Sequence, residues 1–190
     1  MAHRDVRTLT EARALAAMAN PYRSRILDAL KVDGPSTSSS LARRTGQAVG
    51  SVSHHVRVLA EAGLVEEAPE LAKDRRERWW RLTSPSTRWS RAEFADDPQA
   101  VSAALAAENL ALARQFERAQ EWQDNYEAAG EWDDAAFATQ TWLRLSPAEL
   151  RELSGELLAL IASWSERPIP DDAQSREPIF LFARAFPAQP

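Results

Sequence analysis

The sequence predicts a mainly α-helical chain with a small β component (α+β), made of an N-terminal module, a long linking helix and a C-terminal strand-helix-strand unit. Three observations carry this prediction. Apolar residues recur at helical spacing up to about residue 62, switch to strand-like runs between Leu64 and Leu82, and return to helical spacing after Pro98. Charge divides the chain: residues 1–90 hold 15 basic and 10 acidic side chains, residues 91–190 hold 8 and 18, and the halves sum to the net −5. A polar break, Ser84-Pro85-Ser86-Thr87, falls close to that division.

The first helix is expected from Thr8, because Thr8 and Glu11 have the S/T-x-x-E spacing of a capping box. It runs through Leu15, Met18 and Ala19 and stops before Pro21. Asn20-Pro21 starts a second helix, with asparagine as cap and proline at the first position, where its missing N–H costs nothing. Ile26, Leu27 and Leu30 give that helix one apolar stripe, and Asp33-Gly34-Pro35 ends it. The serine-rich run Ser36 to Ser40 caps a short helix from about Leu41 to Thr45, closed by Gly46. A fourth helix spans about 48–62 and closes at Gly63. Leu64-Val65-Glu66-Glu67 and Arg78-Trp79-Trp80-Arg81-Leu82 then read as two strands around a charged tip. Helix, helix, short helix, helix, hairpin is the order of a winged helix-turn-helix, here over residues 8–90.

Asp97-Pro98 caps a long helix expected to reach Tyr126, with an apolar stripe at Val101, Leu105, Leu112, Phe116, Ala119 and Tyr126. Such a helix is roughly 45 Å long, more than a small domain covers by itself. Val101, Leu105, Leu112, Phe116 and Tyr126 are therefore the expected dimer contacts. A strand at 138–145, a helix opened by the capping box Ser146-Pro147-Ala148-Glu149, and a strand at 179–186 form a unit over 137–187. Residues 98–190 are thus expected to serve dimerisation and, in a second role, effector binding. Trp122, Trp132, Trp142 and Trp164, with Phe137, Phe180, Phe182 and Phe186, either build a small core or line a pocket for an apolar small-molecule effector.

Several classes are excluded by what is missing. With no cysteine there is no disulfide, thiolate metal site or cysteine nucleophile. No apolar run approaches the ~18 residues needed to span a bilayer, and Met1-Ala2-His3-Arg4-Asp5 lacks the apolar core of a signal peptide, so a cytoplasmic protein without membrane association is expected. No glycine-rich phosphate loop exists, and no histidine in the acidic half could act as a base, so no enzymatic activity and no cofactor are expected. His54 and His55 are adjacent, point about 100° apart on a helix and cannot chelate one metal ion.

The fourth helix carries the chemistry. On a helical wheel Val52, Val56 and Leu59, with Val49 beside them, face the core, while Gly50, Ser53, His54 and Arg57 project from the other side and Ser51 lies on the flank. Small residues allow close approach, and the donors suit base edges and phosphates. Taken alone, the same face is equally that of a solvated helix with an incidental arginine.

Context decides between them. The runs Leu41-Ala42-Arg43-Arg44-Thr45-Gly46, Ser51 to Leu59 (SVSHHVRVL) and Glu61-Ala62-Gly63-Leu64-Val65 resemble the ArsR family of bacterial winged-helix repressors, as do Leu15 to Leu27 and Arg76 to Leu82. The resemblance covers roughly residues 9–84. It implies a DNA-binding homodimer whose fourth helix enters the major groove, and it carries DNA contacts onto Ser51, Ser53, His54 and Arg57 and onto the wing residues Arg75, Arg76 and Arg78, with Lys73 and Gly50 alongside. Ser39 and Gln47 are the expected phosphate donors. Two departures stand out: Ala48 replaces the usual capping serine, and Gly50 loosens the helix by up to ~1 kcal/mol relative to alanine. The metal-sensing branch of that family needs thiolates or His–carboxylate clusters on its last helix, which this sequence lacks. A transcriptional regulator, expected to repress, follows from the resemblance; a winged helix that binds only a partner protein is the alternative.

Overall fold

The computed structural model describes residues 6–9, 11–74, 77–84, 86–89, 94–125 and 130–189. The elements run β1 (Val6–Thr8), α1 (Ala12–Met18), α2 (Pro21–Asp33), β2 (Ser36–Thr37), α3 (Ser38–Thr45), α4 (Val49–Glu61), β3 (Val65–Glu67), β4 (Trp79–Leu82), β5 (Ser86–Arg88), α5 (Pro98–Asp124) and α6 (Pro147–Glu166). The chain divides into two units, 1–121 and 122–190.

In the first unit the core is assembled from the helical stripes that the sequence presents. Leu15 from α1, Ile26, Leu27 and Leu30 from α2, Leu41 from α3, and Val52, Val56 and Leu59 from α4 are buried together. Leu64, Val65 and Trp80 close this core from the hairpin, and Phe94, Ala100 and Ala104 close it from the chain that opens α5. The three-stranded sheet has the order β2-β4-β3, all antiparallel. Trp80 pairs in register with Ser36 on one side and Glu67 on the other. This sheet fixes the hairpin against the start of α3.

Local signals set the helix ends. The Asn20 side-chain oxygen accepts from the backbone N–H of Tyr22 and of Arg23, both at 3.1 Å, which satisfies two donors that a helix start leaves open. Thr37 caps α3 by accepting from Ser40 N–H at 3.2 Å. Gly46 ends α3 at φ 67°, a left-handed conformation that only glycine adopts without strain, and Gln47 N–H then closes onto Ala42 O at 3.0 Å. That left-handed residue turns the chain from α3 into α4. The Arg23 guanidinium donates to Ala17 O at 2.6 Å and Ala16 O at 3.1 Å, capping the end of α1.

Three expectations need correction. The Thr8–Glu11 capping box does not form: Thr8 lies in β1, which pairs in parallel with β5, and α1 starts at Ala12 with no side-chain cap. The polar break at 84–87 is thus partly a strand, because β1 offers it a backbone partner. In the second unit, neither 138–145 nor 179–186 is a strand; both lack regular structure among the described residues. A strand needs a ladder of N–H and C=O bonds to a neighbouring strand, and neither segment is laddered to another among the described residues. The capping box of α6 does form, with Ser146 N–H to Glu149 Oε2 at 2.7 Å and Glu149 N–H to Ser146 Oγ at 3.3 Å.

α5 runs for 27 residues, roughly 40 Å. Up to Glu121 it lies within the first unit rather than grouping with the C-terminal part. One face, with Ala100, Ala104 and Ala107, is buried. Asp28 of α2 holds the same side through Arg114 Nη2 at 2.9 Å and Arg118 Nη2 at 2.6 Å. The predicted stripe lies on a different face: Val101 and Leu112 are half-buried, and Leu105 and Phe116 are 46% and 58% exposed. Tyr126 lies outside the described residues.

Candidate nucleic-acid interface

Helical periodicity places the α4 residues as it predicts, with one exception. Val52, Val56 and Leu59 are fully buried; Gly50, Ser51, His54 and Arg57 are exposed, and Ser53 is half-buried. Val49 is exposed although the wheel puts it beside the core stripe. Ala48 has the extended conformation of an N-cap, φ −68° and ψ 141°, but provides no side-chain hydrogen bond. The outer N–H groups of this helix therefore lack an intrachain side-chain cap.

α4, the start of α3 and the hairpin enclose a cleft of about 310 Å³, lined by Ser38, Ser53, Arg57, Glu67, Arg78 and Trp80. It joins the outward face of α4 to the base of the wing. Arg78 Nη1 stands 3.5 Å from Glu67 Oε1, and both side chains are largely exposed. An exposed pair of this kind is worth little, so the Arg78 guanidinium can exchange Glu67 for another anion at small cost. Arg81, within β4, is held differently. It donates to Glu66 at 2.7 Å and also pairs with Glu70, and the hydrogen bond to Glu66, followed by the charge of Glu70, pushes its pKa up.

Other expected contacts separate. Ser39 is exposed on the first turn of α3, and Lys73 is exposed near the hairpin tip, where its backbone N–H donates to Glu77 Oε2 at 3.0 Å. That bond is the main reason the Glu77 pKa is lowered. Arg75 and Arg76 lie outside the described residues. Gln47 does not fit a phosphate donor in this conformation: its Nε2 and Oε1 are both buried without a partner. Its position near the start of α4, on which the expectation rested, does not reveal which way that side chain folds. Ser38 and Trp80 were not among the expected contacts. Ser38 stood in a serine run read only as a cap, and Trp80 read only as an aromatic strand residue.

Behind the exposed face, His55 stacks on Tyr22 of α2 with ring centroids 5.6 Å apart and planes 16° apart. Its Nδ1 is buried without a partner. Burial first, then the charges of Arg23 and His54, lowers its pKa. His55 is thus a packing residue whose surroundings disfavour its charged form, while His54 is exposed. Among the described residues no group of three or more His, Cys, Asp or Glu side chains is placed to hold a metal ion. No helix among them is long and apolar enough to cross a membrane.

Residues 18–68 match the family described as Helix-turn-helix domain, from the last residue of α1 to just past β3. No curated protein matches the chain. Among solved structures, the homodimeric winged helix-turn-helix DNA-binding domain of a possible ArsR-family transcriptional regulator from Mycobacterium bovis is 22% identical. It covers 59% of this chain and 82% of its own, with a TM-score of 0.35. A crystal structure of a possible transcriptional regulatory protein fragment from the same organism is 23% identical, covering 56% of this chain and 89% of its own at a TM-score of 0.35. A MarR family regulator from Neisseria meningitidis is 21% identical and covers 77% of each chain at a TM-score of 0.33. At these scores the overall likenesses are loose, and the weight rests on the family match and on the element order. The match over residues 18–68 takes in α2, α3, α4 and β3, and with β4 the element order is that of a winged helix-turn-helix, the architecture that the ArsR resemblance implies.

Proposed function

We propose that this protein is a transcriptional regulator that binds duplex DNA as a homodimer, with α4 in the major groove and the hairpin on the phosphate backbone. The observation that carries this reading is the cleft lined by Arg57 of α4, Arg78 just before β4, Ser38 and Ser53. It combines an exposed helix of suitable width with two guanidinium groups and two hydroxyls, the donor set that fixes a protein on phosphates and reads base edges. The basic balance of residues 1–90 supports it. Ser51 and His54 are the other α4 side chains free to reach bases, and Ser39 and Lys73 are free to reach phosphates. Regulation by repression follows the ArsR resemblance, and the half-exposed stripe on α5 is the dimer contact of this reading.

Arg57→Ala is the test. Arg57 is exposed and opposite Val52, Val56 and Leu59, so the variant should keep the wild-type unfolding midpoint while DNA affinity falls about 10-fold or more. Unchanged affinity in a folded variant would contradict the placement of α4 on DNA.

A further inference from the structure

The second unit leaves its apolar surface uncovered. Among the described residues from 122 onward none is buried, and only Trp132, Leu150 and Ile161 are half-buried. Trp142, Leu143, Leu158, Leu160, Trp164 and Phe182 are all exposed, Trp164 by 62%. With their neighbours they amount to on the order of 1,500 Å² of apolar surface, well above the ~800 Å² that each partner contributes to a standard stable interface. On either side of α6 lie segments with the composition of strands, and in the single chain neither is one. A helix of 20 residues flanked by two such segments does not bury enough to offset its own ordering entropy.

We propose that residues 137–145 and 179–186 become β-strands by pairing with the same segments of a second copy, so that the unit 122–190 completes its fold only in the dimer. This deepens the homodimer of the proposed function and rests on it. Three features select a second copy over another protein. First, the charges are self-complementary: the only formal charge in 138–145 is Arg144 and in 179–186 is Arg184, whereas α6 carries Glu149, Glu152, Glu156 and Glu166 against a single Arg151. Strands of one copy can therefore lie across the helix of the other with opposite charges facing. Second, α5 brings an exposed apolar stripe, including Leu105 and Phe116, along the helix that leads into this unit at Trp122. Third, a unit that buries nothing alone needs its partner always, and a chain's own copy is present at its own concentration.

The test is backbone hydrogen exchange on the full-length chain, free of DNA, at micromolar and at low-nanomolar concentration, with the oligomeric state followed by mass photometry. The amides of 138–145 and 179–186 should exchange more than ~100-fold slower than an unstructured chain in the dimer, and should lose that protection together with the dimer on dilution. Three results would overturn the proposal: unprotected strands in a dimer, equal protection in the monomer, or a monomer at micromolar concentration. Because no DNA takes part, a chain that passes this test but binds no DNA would contradict the regulator reading alone.

Discussion

His55 illustrates what a single residue contributes and how far a sequence reveals it. Its position at the edge of the α4 stripe is legible from periodicity, but its stacking on Tyr22 and its buried, unpartnered Nδ1 depend on how α2 crosses α4. Burial lowers its pKa from the usual 6.5, so the unfolded chain binds a proton more tightly than the folded one. The stabilisation from a neutral His55 is therefore present above that value and is lost as pH falls from it toward the lower folded-state pKa. Urea unfolding of wild type and His55→Gln at about pH 7.5 and about pH 5.5 isolates the effect, with the variant losing less stability on acidification than wild type. Equal losses would show that His55 is not buried as described. Asn20 is the opposite case. The Asn-Pro pair announces its own geometry, and both predicted hydrogen bonds are present. Gln47, expected as a phosphate donor from its place near a helix start, has its side-chain polar atoms buried, and Val49, which the wheel puts beside the core stripe, is exposed; position in the chain shows neither.

At the scale of elements, α2, α3, α4 and the hairpin are legible because each opens at a local punctuation mark, Asn20, Thr37, Gly46 and Gly63, whereas the start of α1 is not, its Thr8–Glu11 mark being taken up in β1. β1 and β5 are not, since three-residue strands are specified by pairing across some eighty positions and carry no periodicity of their own. The long helix was half legible. Its apolar stripe is where the pattern puts it, but the alanine face that docks on the first unit reads in sequence only as good helix-former composition. Two faces with two uses follow from this. Phe116 is 58% exposed, so Phe116→Glu should leave the thermal midpoint of the monomer within about 2 °C while weakening dimerisation at least ~10-fold, as measured by sedimentation equilibrium. A variant as tightly dimeric as wild type would remove the α5 stripe from the interface.

The molecule as a whole joins a winged helix in a basic half to a second unit that is acidic and buries little in one chain. In a two-fold dimer the acidic parts can associate while two copies of α4 are presented about one DNA turn apart, ~34 Å. The charge asymmetry supports that division of labour, since the acidic unit would be repelled by phosphates and leaves DNA contact to the basic half. The strands expected in the second unit are legible in the sequence as composition, but composition does not supply a neighbouring strand, and neither segment is a strand among the described residues. The central claim, that the winged helix binds duplex DNA through Arg57, Arg78 and their neighbours, meets its most direct test in a salt titration. Binding of the full-length protein to a genomic fragment that it selects should weaken ~10³–10⁵-fold between about 50 and about 200 mM salt, with log affinity linear in log salt, if the dimer neutralises about 6–10 phosphates. No binding at low salt, or an affinity that salt does not change, would contradict it.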